Sequence, residues 1–284
     1  MLQNPKAIIT GGTRGIGLAI AKELISEGTS VTVCSRSLKE LESALTVLNQ
    51  NGHLVNGICA DVSKYNQCNK LVKFALKKMG RIDILVNNAG IYGPIGPLEE
   101  NDLCLWQKTI EVNLMGMVYC SQLVIPLMKK QGQGKIINLC GSGVGSPHSL
   151  PRFSAYYTSK TAVAGFTEVI ASELEDYNIQ INAVFPGAVN TAMTDYLLKV
   201  GPEKSGKTMY ENALKQKKAG GTPPELVAKL TAFLASDNAN HLTGRLLSAK
   251  WDSVEQLNKE KKLSSSTYRL RRIDNALFYE KREK

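Results

Sequence analysis

Tyr156 and Lys160 stand four residues apart inside AYYTSKTAVAGFTEVIASELEDY, a run with helical character. On a helix that spacing brings both side chains to one face. An ammonium beside a phenol can make the phenol an acid–base catalyst. At ~4 Å and an effective dielectric of ~20, one positive charge favours the phenolate by roughly 4 kcal/mol. That brings a group that ordinarily titrates near ~10 into use near neutral pH. Such a phenol gives a proton to a carbonyl oxygen or takes one from an alcohol. The pair alone is weak evidence, because a chain of 284 residues with 10 Tyr and 26 Lys contains about one Tyr-x-x-x-Lys by chance. Its weight comes from the elements upstream.

Those elements alternate. AIIT (7–10), VTVCS (31–35), LVNGICADV (54–62), IDILVNNAG (82–90), KIINL (135–139), QINAVF (180–185) and GRLLSA (244–249) read as strands. Helical patterns cover 18–28, 38–52, 66–80, a long stretch near 103–130, 156–177 and 222–236, several of them ended by Gly or begun by Pro. The order predicts an α/β fold, a doubly wound parallel sheet of about seven strands with helices on both faces. Residues 1–250 read as one domain and 251–284 as a C-terminal extension; residues 250–284 carry a net charge of +4. Residues 191–222 are long, charged and glycine-bracketed, and are expected to form a substrate lid.

Composition narrows the function. Apolar residues make up 43% of the chain, ample for a core. No run of about 18 apolar residues is present, so no membrane span is expected. The N-terminus enters a strand directly and lacks a signal-peptide pattern, which predicts a cytoplasmic protein. Cys34, Cys59, Cys68, Cys104, Cys120 and Cys140 form no Cys-x-x-Cys pair and read as buried thiols of a reducing compartment. His53, His148 and His241 are too dispersed for a metal site. The net charge of +10 is spread out and carries no nucleic-acid-binding motif. It suits an anionic small ligand, such as a phosphorylated cofactor.

The loop after the first strand is Thr10-Gly11-Gly12-Thr13-Arg14-Gly15-Ile16-Gly17. Between a strand and a helix, its glycines allow a tight turn and close approach of a pyrophosphate to the helix N-terminus. With this loop, from about residue 5 to 249, the chain resembles the short-chain dehydrogenase/reductase family, in the branch with the shorter Thr-Gly-x-x-x-Gly-x-Gly spacing. The other motifs follow in order: Asp61-Val62, Asn87-Asn88-Ala89-Gly90, Asn113, Tyr156-x-x-x-Lys160, and Pro186-Gly187 with Val189 and Thr191. The resemblance implies a Rossmann-type domain, and a cofactor site at Gly11, Thr13, Arg14, Gly15, Ile16, Gly17, Ser35, Arg36, Asp61, Val62, Asn88, Ala89, Gly90, Tyr156, Lys160, Pro186, Gly187, Val189 and Thr191. It also implies hydride transfer between a nicotinamide and a carbonyl or alcohol carbon. Tyr156 is then the general acid/base, Lys160 its activator and a ligand of the nicotinamide ribose, and Asn113 the anchor of a proton relay.

Cofactor choice is read at the end of the second strand. An acidic residue there binds the ribose hydroxyls of NAD. Here the strand ends Cys34-Ser35-Arg36, with Arg14 a second cation. An uncharged residue flanked by arginines suits a 2′-phosphate, which predicts NADP(H), with NAD(H) as the alternative.

The chain departs from the family pattern at the active serine and at the end of the last strand, where Ser248-Ala249-Lys250-Trp251-Asp252 stands in place of the usual Asp-Gly-Gly. The fifth strand usually runs into Asn-x-Ser-Ser, whereas this chain has Asn138-Leu139-Cys140-Gly141-Ser142-Gly143. Without a gap Gly141 takes the active position; with a one-residue shift Ser142 does, and Ser142 is the candidate chosen. Around it, 91–96, 143–153 (with His148 and Arg152), Met193, Tyr196 and Leu197 are expected to give a mixed lining for a small polar carbonyl or alcohol substrate. The extension, with Arg269, Arg271 and Arg272, either folds back to place a cation on an anionic substrate such as a sugar nucleotide, or serves as a packing arm. A cofactor-binding sensor or scaffold without turnover is the reading from another class. The family habit further implies a homotetramer or homodimer assembled through the long helices.

Overall fold

The computed structural model describes residues 4–49, 55–141, 143–144, 149–260, 262–264 and 267–270. Seven strands form one parallel sheet in the order β3-β2-β1-β4-β5-β6-β7. They are β1 (Lys6–Thr10), β2 (Ser30–Ser35), β3 (Val55–Cys59), β4 (Ile84–Asn87), β5 (Gly134–Leu139), β6 (Ile179–Phe185) and β7 (Leu246–Ser248). The order reverses between β1 and β4, so the crevice where ligands bind such sheets opens at the C-terminal ends of those two strands.

Side-chain alternation along each strand divides the core into two layers. In β1, Ala7 and Ile9 face Ile20 and Leu24 of α1 (Gly15–Ser26) and Val227 and Leu230 of α10 (Pro224–Ala235). Ile8 faces the other side, with Leu71 of α3 (Tyr65–Met79) and Val124 and Met128 of α5 (Gly116–Gln131). β4 repeats the division, with Ile84 and Val86 on the first side and Leu85 on the second. Strands buried on both faces explain why these segments read as nearly unbroken apolar runs.

The remaining elements are α2 (Leu38–Leu48), α4 (Leu103–Ile110), α6 (Ser154–Glu173), α7 (Ala192–Val200), α8 (Pro202–Ser205), α9 (Lys207–Ala219) and α11 (Val254–Lys259). The expected lid is therefore three short helices, α7 to α9, between β6 and α10. Two findings bear on the expectations. First, α4 and α5 are joined through a π-helical turn, Glu111–Met115, into one run from Leu103 to Gln131. By length and composition this run, with a window of mean hydropathy 1.4, is apolar enough to cross a bilayer, although no such segment was expected. Its apolar residues serve the domain: Val112, Cys120, Val124 and Met128 are buried against the sheet.

Second, the described part of the extension packs along the outer edge of β7. The Leu246 N–H donates to the Tyr268 carbonyl at 2.7 Å. The Arg245 guanidinium donates to the carbonyls of Ser264 (2.9 Å) and Thr267 (2.6 Å). Leu257 is fully buried. Arg269 pairs with Glu168 at 3.6 Å. Glu168 lies twelve residues along α6 from Tyr156, about 18 Å at 1.5 Å per residue. Arg269 is thus held well along α6 from Tyr156, in keeping with the packing-arm alternative. Arg271 and Arg272 lie outside the described residues.

Candidate active site

The C-terminal ends of β1, β2, β4, β5 and β6 open into a cleft of about 730 Å³. Its floor is the glycine loop and the start of α1. Gly11 and Gly15 have φ of +63° and +51°, where a Cβ is disfavoured. A Cβ on Gly17 would sit on the Gly11 carbonyl oxygen and 2.5 Å from the Asn88 amide nitrogen. Asn88 explains the tightness: its side-chain N–H groups donate to the carbonyls of Thr10 (2.9 Å) and Gly11 (3.0 Å). The Thr10 hydroxyl accepts in return from the Asn88 and Ala89 N–H groups. Asn88 thus acts by holding the loop in shape. Arg14, at the N-cap of α1, makes no side-chain cap bond, so the first N–H groups of this twelve-residue helix stay available to an anion.

At the adenosine end stand Ser35, Arg36, Ser37, Glu40, Ala60, Asp61 and Val62. The Asp61 carboxyl titrates below the usual carboxylate range. Burial works to raise it, but hydrogen bonds from the Ser63 hydroxyl and N–H, with the charges of Lys108 and Arg36, outweigh that. Glu40 was not expected in the cleft. It accepts a hydrogen bond from the Ser35 hydroxyl at 3.3 Å and pairs with Arg14 at 3.5 Å. The visible signal was Ser37-Leu38-Lys39-Glu40, a helix-start pattern with no sign that its acid would face a ligand.

The opposite end of the cleft holds the catalytic candidates. Tyr156 and Lys160 lie one turn apart on α6, both buried. The Lys160 ammonium donates to the Leu139 carbonyl, at the end of β5, at 2.7 Å. Burial lowers its pKa from 10.5 to about 8, which the neighbouring Cys140 only partly opposes. Cys140 donates to the Lys160 carbonyl at 3.1 Å, and burial pushes its thiol up to about 11, so it is no nucleophile near neutral pH. Asn113 sits in the π-helical turn, a form that recurs at functional sites. Its amide oxygen accepts from the Ile91 N–H (2.8 Å), and its amide nitrogen donates to the Ile91 carbonyl (2.9 Å) and the Ser159 hydroxyl (3.0 Å). Ser159 donates to the Tyr156 carbonyl at 2.7 Å. Asn113 and Ser159 thereby tie the loop after β4 to the catalytic turn of α6, and Ser159 had been overlooked in the sequence.

Gly141 faces this pair. A Cβ there would stand 2.6 Å from both the Tyr156 hydroxyl oxygen and Lys160 Cγ. The residue that directly opposes the tyrosine is therefore one whose lack of side chain lets the pair pack against β5. Ser142 lies outside the described residues, as do Ser146 and His148.

Most other expected cofactor residues line the cleft, from Thr13 and Ile16 through Ala89 and Gly90 to Pro186 and Thr191. Gly187 and Val189 do not. Val189 is buried in the core layer beside α10, and its backbone bridges to Gly221. A Cβ on Gly187 would meet the Thr222 hydroxyl at 2.8 Å. Both residues pack against the end of the α7–α9 segment at Gly221 and Thr222. Beside Tyr156 lies a packed apolar and aromatic cluster, while the cleft lining itself is mixed, with Asn190, Thr194, Asp195 and Lys217 beside Ile91, Val112 and Met193. Ile95, Phe153, Leu197 and Ala213 pack together with Tyr92, Leu150, Met193 and Met209. The Tyr92 ring meets those of Tyr156 and Phe153 edge-on, at centroid distances of 4.9 and 5.4 Å. Arg152 instead donates to the Glu203 and Lys204 carbonyls and holds α8 from outside.

A parallel sheet with a glycine-lined anion cradle at its switch point and a buried Tyr–Lys pair beside it defines a nicotinamide-dependent oxidoreductase. Residues 5–199 match the family model for short chain dehydrogenase. The chain is 38% identical over 245 residues to Dehydrogenase/reductase SDR family member 4 of Caenorhabditis elegans, covering 85% of this chain and 92% of that protein. Among solved structures it is similar to an actinorhodin polyketide ketoreductase with NADPH (29% identity, TM-score 0.77, 86% and 95% of the two chains). It is likewise similar to an NAD+-bound xylitol dehydrogenase (25% identity, TM-score 0.79, 87% and 97%). This chain belongs to the short-chain dehydrogenase/reductase family and is an NAD(P)-dependent enzyme acting on CH–OH/C=O groups.

Proposed function

We propose that this enzyme is an NADP(H)-dependent oxidoreductase that transfers hydride between the nicotinamide and a carbonyl or alcohol group of a small polar organic substrate. The observation that carries the reading is the Tyr156–Lys160 pair, buried at the inner end of the glycine-lined cleft. The cradle at Gly11 and Gly17, too tight for a Cβ, and the available N–H groups of α1 fit a pyrophosphate. The nicotinamide cofactor, when bound, supplies the hydride. The chain's own residues do the rest. Tyr156 donates the proton to the substrate oxygen. Lys160, protonated below about pH 8, favours the phenolate that remains and turns to the nicotinamide ribose. Asn113 anchors the route that returns the proton. Ser142 or the main chain at Gly141 holds the substrate oxygen.

The preference for NADP(H) is supported by Arg14 and Arg36 around an uncharged Ser35 in the cleft. Exposed Leu103 on α4 and Val169 on α6 support assembly of a homodimer or homotetramer through these helices.

The test is nicotinamide fluorescence with NADPH and NADH, followed by a panel of small carbonyl substrates. Turnover should fall by at least ~10³-fold in Tyr156→Phe while NADPH binding persists, a loss within the scale of acid–base catalysis. Binding without turnover in the native enzyme, across the panel, would return the protein to the sensor class.

A further inference from the structure

We infer that Glu40 sets the cofactor preference by supplying the ribose-binding carboxylate that the end of β2 lacks. The inference deepens the cofactor reading above and rests on it. Glu40 is the fourth residue of a Ser-x-x-Glu helix start. In a capping box its carboxylate would turn back to the Ser37 N–H. Only half of that box forms here: the Ser37 hydroxyl accepts from the Glu40 N–H at 3.3 Å. The Ser37 N–H is taken instead by the Ser35 hydroxyl, also at 3.3 Å. The Glu40 carboxylate is released from helix duty and lines the cleft, where one oxygen accepts from the Ser35 hydroxyl and the other pairs with Arg14.

The consequences for the two cofactors are opposite in sign. Ser35 ends β2, where a carboxylate would serve the ribose hydroxyls of NAD(H). Its hydroxyl, already engaged on both sides, holds the carboxylate of Glu40 at that same place. A ribose 2′-hydroxyl can donate to that carboxylate. A 2′-phosphate is repelled by it, and must also draw Arg14 away from it before the guanidinium can be used. Arg14 and Arg36 recruit NADP(H), while Glu40 keeps NAD(H) competitive, so the native enzyme binds both with a modest preference.

The test is the Glu40→Gln variant, with dissociation constants for NADPH and NADH taken from nicotinamide fluorescence. The same comparison is made with 2′,5′-ADP against 5′-AMP, which carry only the adenosine end. Circular dichroism verifies that the helix start is intact, as expected for a half-exposed side chain whose backbone N–H keeps its cap. The ratio of NADPH to NADH affinity should rise by about two- to fivefold, the scale of one exposed ion pair, with NADPH tightening and NADH weakening. The fragments should shift alike. An unchanged ratio, a parallel loss of both affinities, or a dinucleotide shift that the fragments do not share would overturn the inference while leaving the cofactor reading intact. A native enzyme that binds neither dinucleotide would overturn both.

Discussion

Lys160→Met is expected to abolish turnover and yet stabilise the protein at neutral pH. Lys160 is 5% exposed, and its pKa stands at about 8 against an ordinary 10.5. At about 1.36 kcal/mol per pKa unit, a charged Lys160 costs the fold about 3 kcal/mol. Methionine fills nearly the same volume without the charge, and forfeits the bond to the Leu139 carbonyl, about 1 kcal/mol at every pH. The variant should therefore gain about 2 kcal/mol at pH 7. Between pH 8 and 10.5 the unfolded chain keeps the Lys160 proton and the folded one has released it, so native stability rises with pH across that window. Linkage through that window removes about 2 kcal/mol of the variant's advantage by pH 9.5, leaving the two proteins about equal. Urea denaturation of both at pH 7 and pH 9.5, at one protein concentration, measures the gap. The lost hydrogen bond and any packing change are independent of pH and cancel in the difference between the two pH values. A gap that stays constant from pH 7 to 9.5 would mean that Lys160 is not held as a costly charge, and the reasoning would be wrong.

Gly141→Ser restores the residue type usual in the family at the position without a gap, but is expected to impair this enzyme. The new Cβ meets the Tyr156 hydroxyl and Lys160 Cγ at 2.6 Å. Relief of that contact moves the pair by about 1 Å, which costs on the order of 10²-fold in kcat/KM; equal or higher activity would refute it. Truncation after Asp252 removes buried Leu257 and uncovers the β7 edge, and should lower stability by roughly 2–3 kcal/mol from the lost apolar burial alone. NADPH affinity at the remote cleft should hold within about threefold, a change of under 1 kcal/mol. Thermal unfolding and fluorescence titration separate the two effects.

The glycine loop, Asp61-Val62, Asn88-Ala89-Gly90 and the Tyr156–Lys160 pair were legible because each is a local motif fixed to the end of a strand or the start of a helix. Once the strands alternate with helices, the parallel order brings those ends to one edge. What could not be read arises between distant segments. The apolar cluster beside Tyr156 joins Tyr92, Phe153, Leu197 and Ala213 from four separate stretches, and no spacing rule links them. Glu40 follows a helix-start pattern in sequence, and only Arg14 and Ser35 draw its carboxylate toward the cleft. The π-helical turn at Asn113 satisfies Ile91 and Ser159, partners that are invisible from the run IEVNLMG.

The backbone bond between Leu246 and Tyr268 also governs when the protein becomes safe from its own kind. β7 is a terminal strand, and an uncovered edge is a template for strand addition by another chain. Its cover lies downstream, so during synthesis the strand emerges before the segment that shields it. A chain halted or cleaved in that interval presents a bare edge at the concentration of nascent protein, where partly folded α/β chains aggregate. The extension thus sets a point in translation before which release leaves that edge bare, and chains ending before it should aggregate more readily than full-length ones at equal concentration.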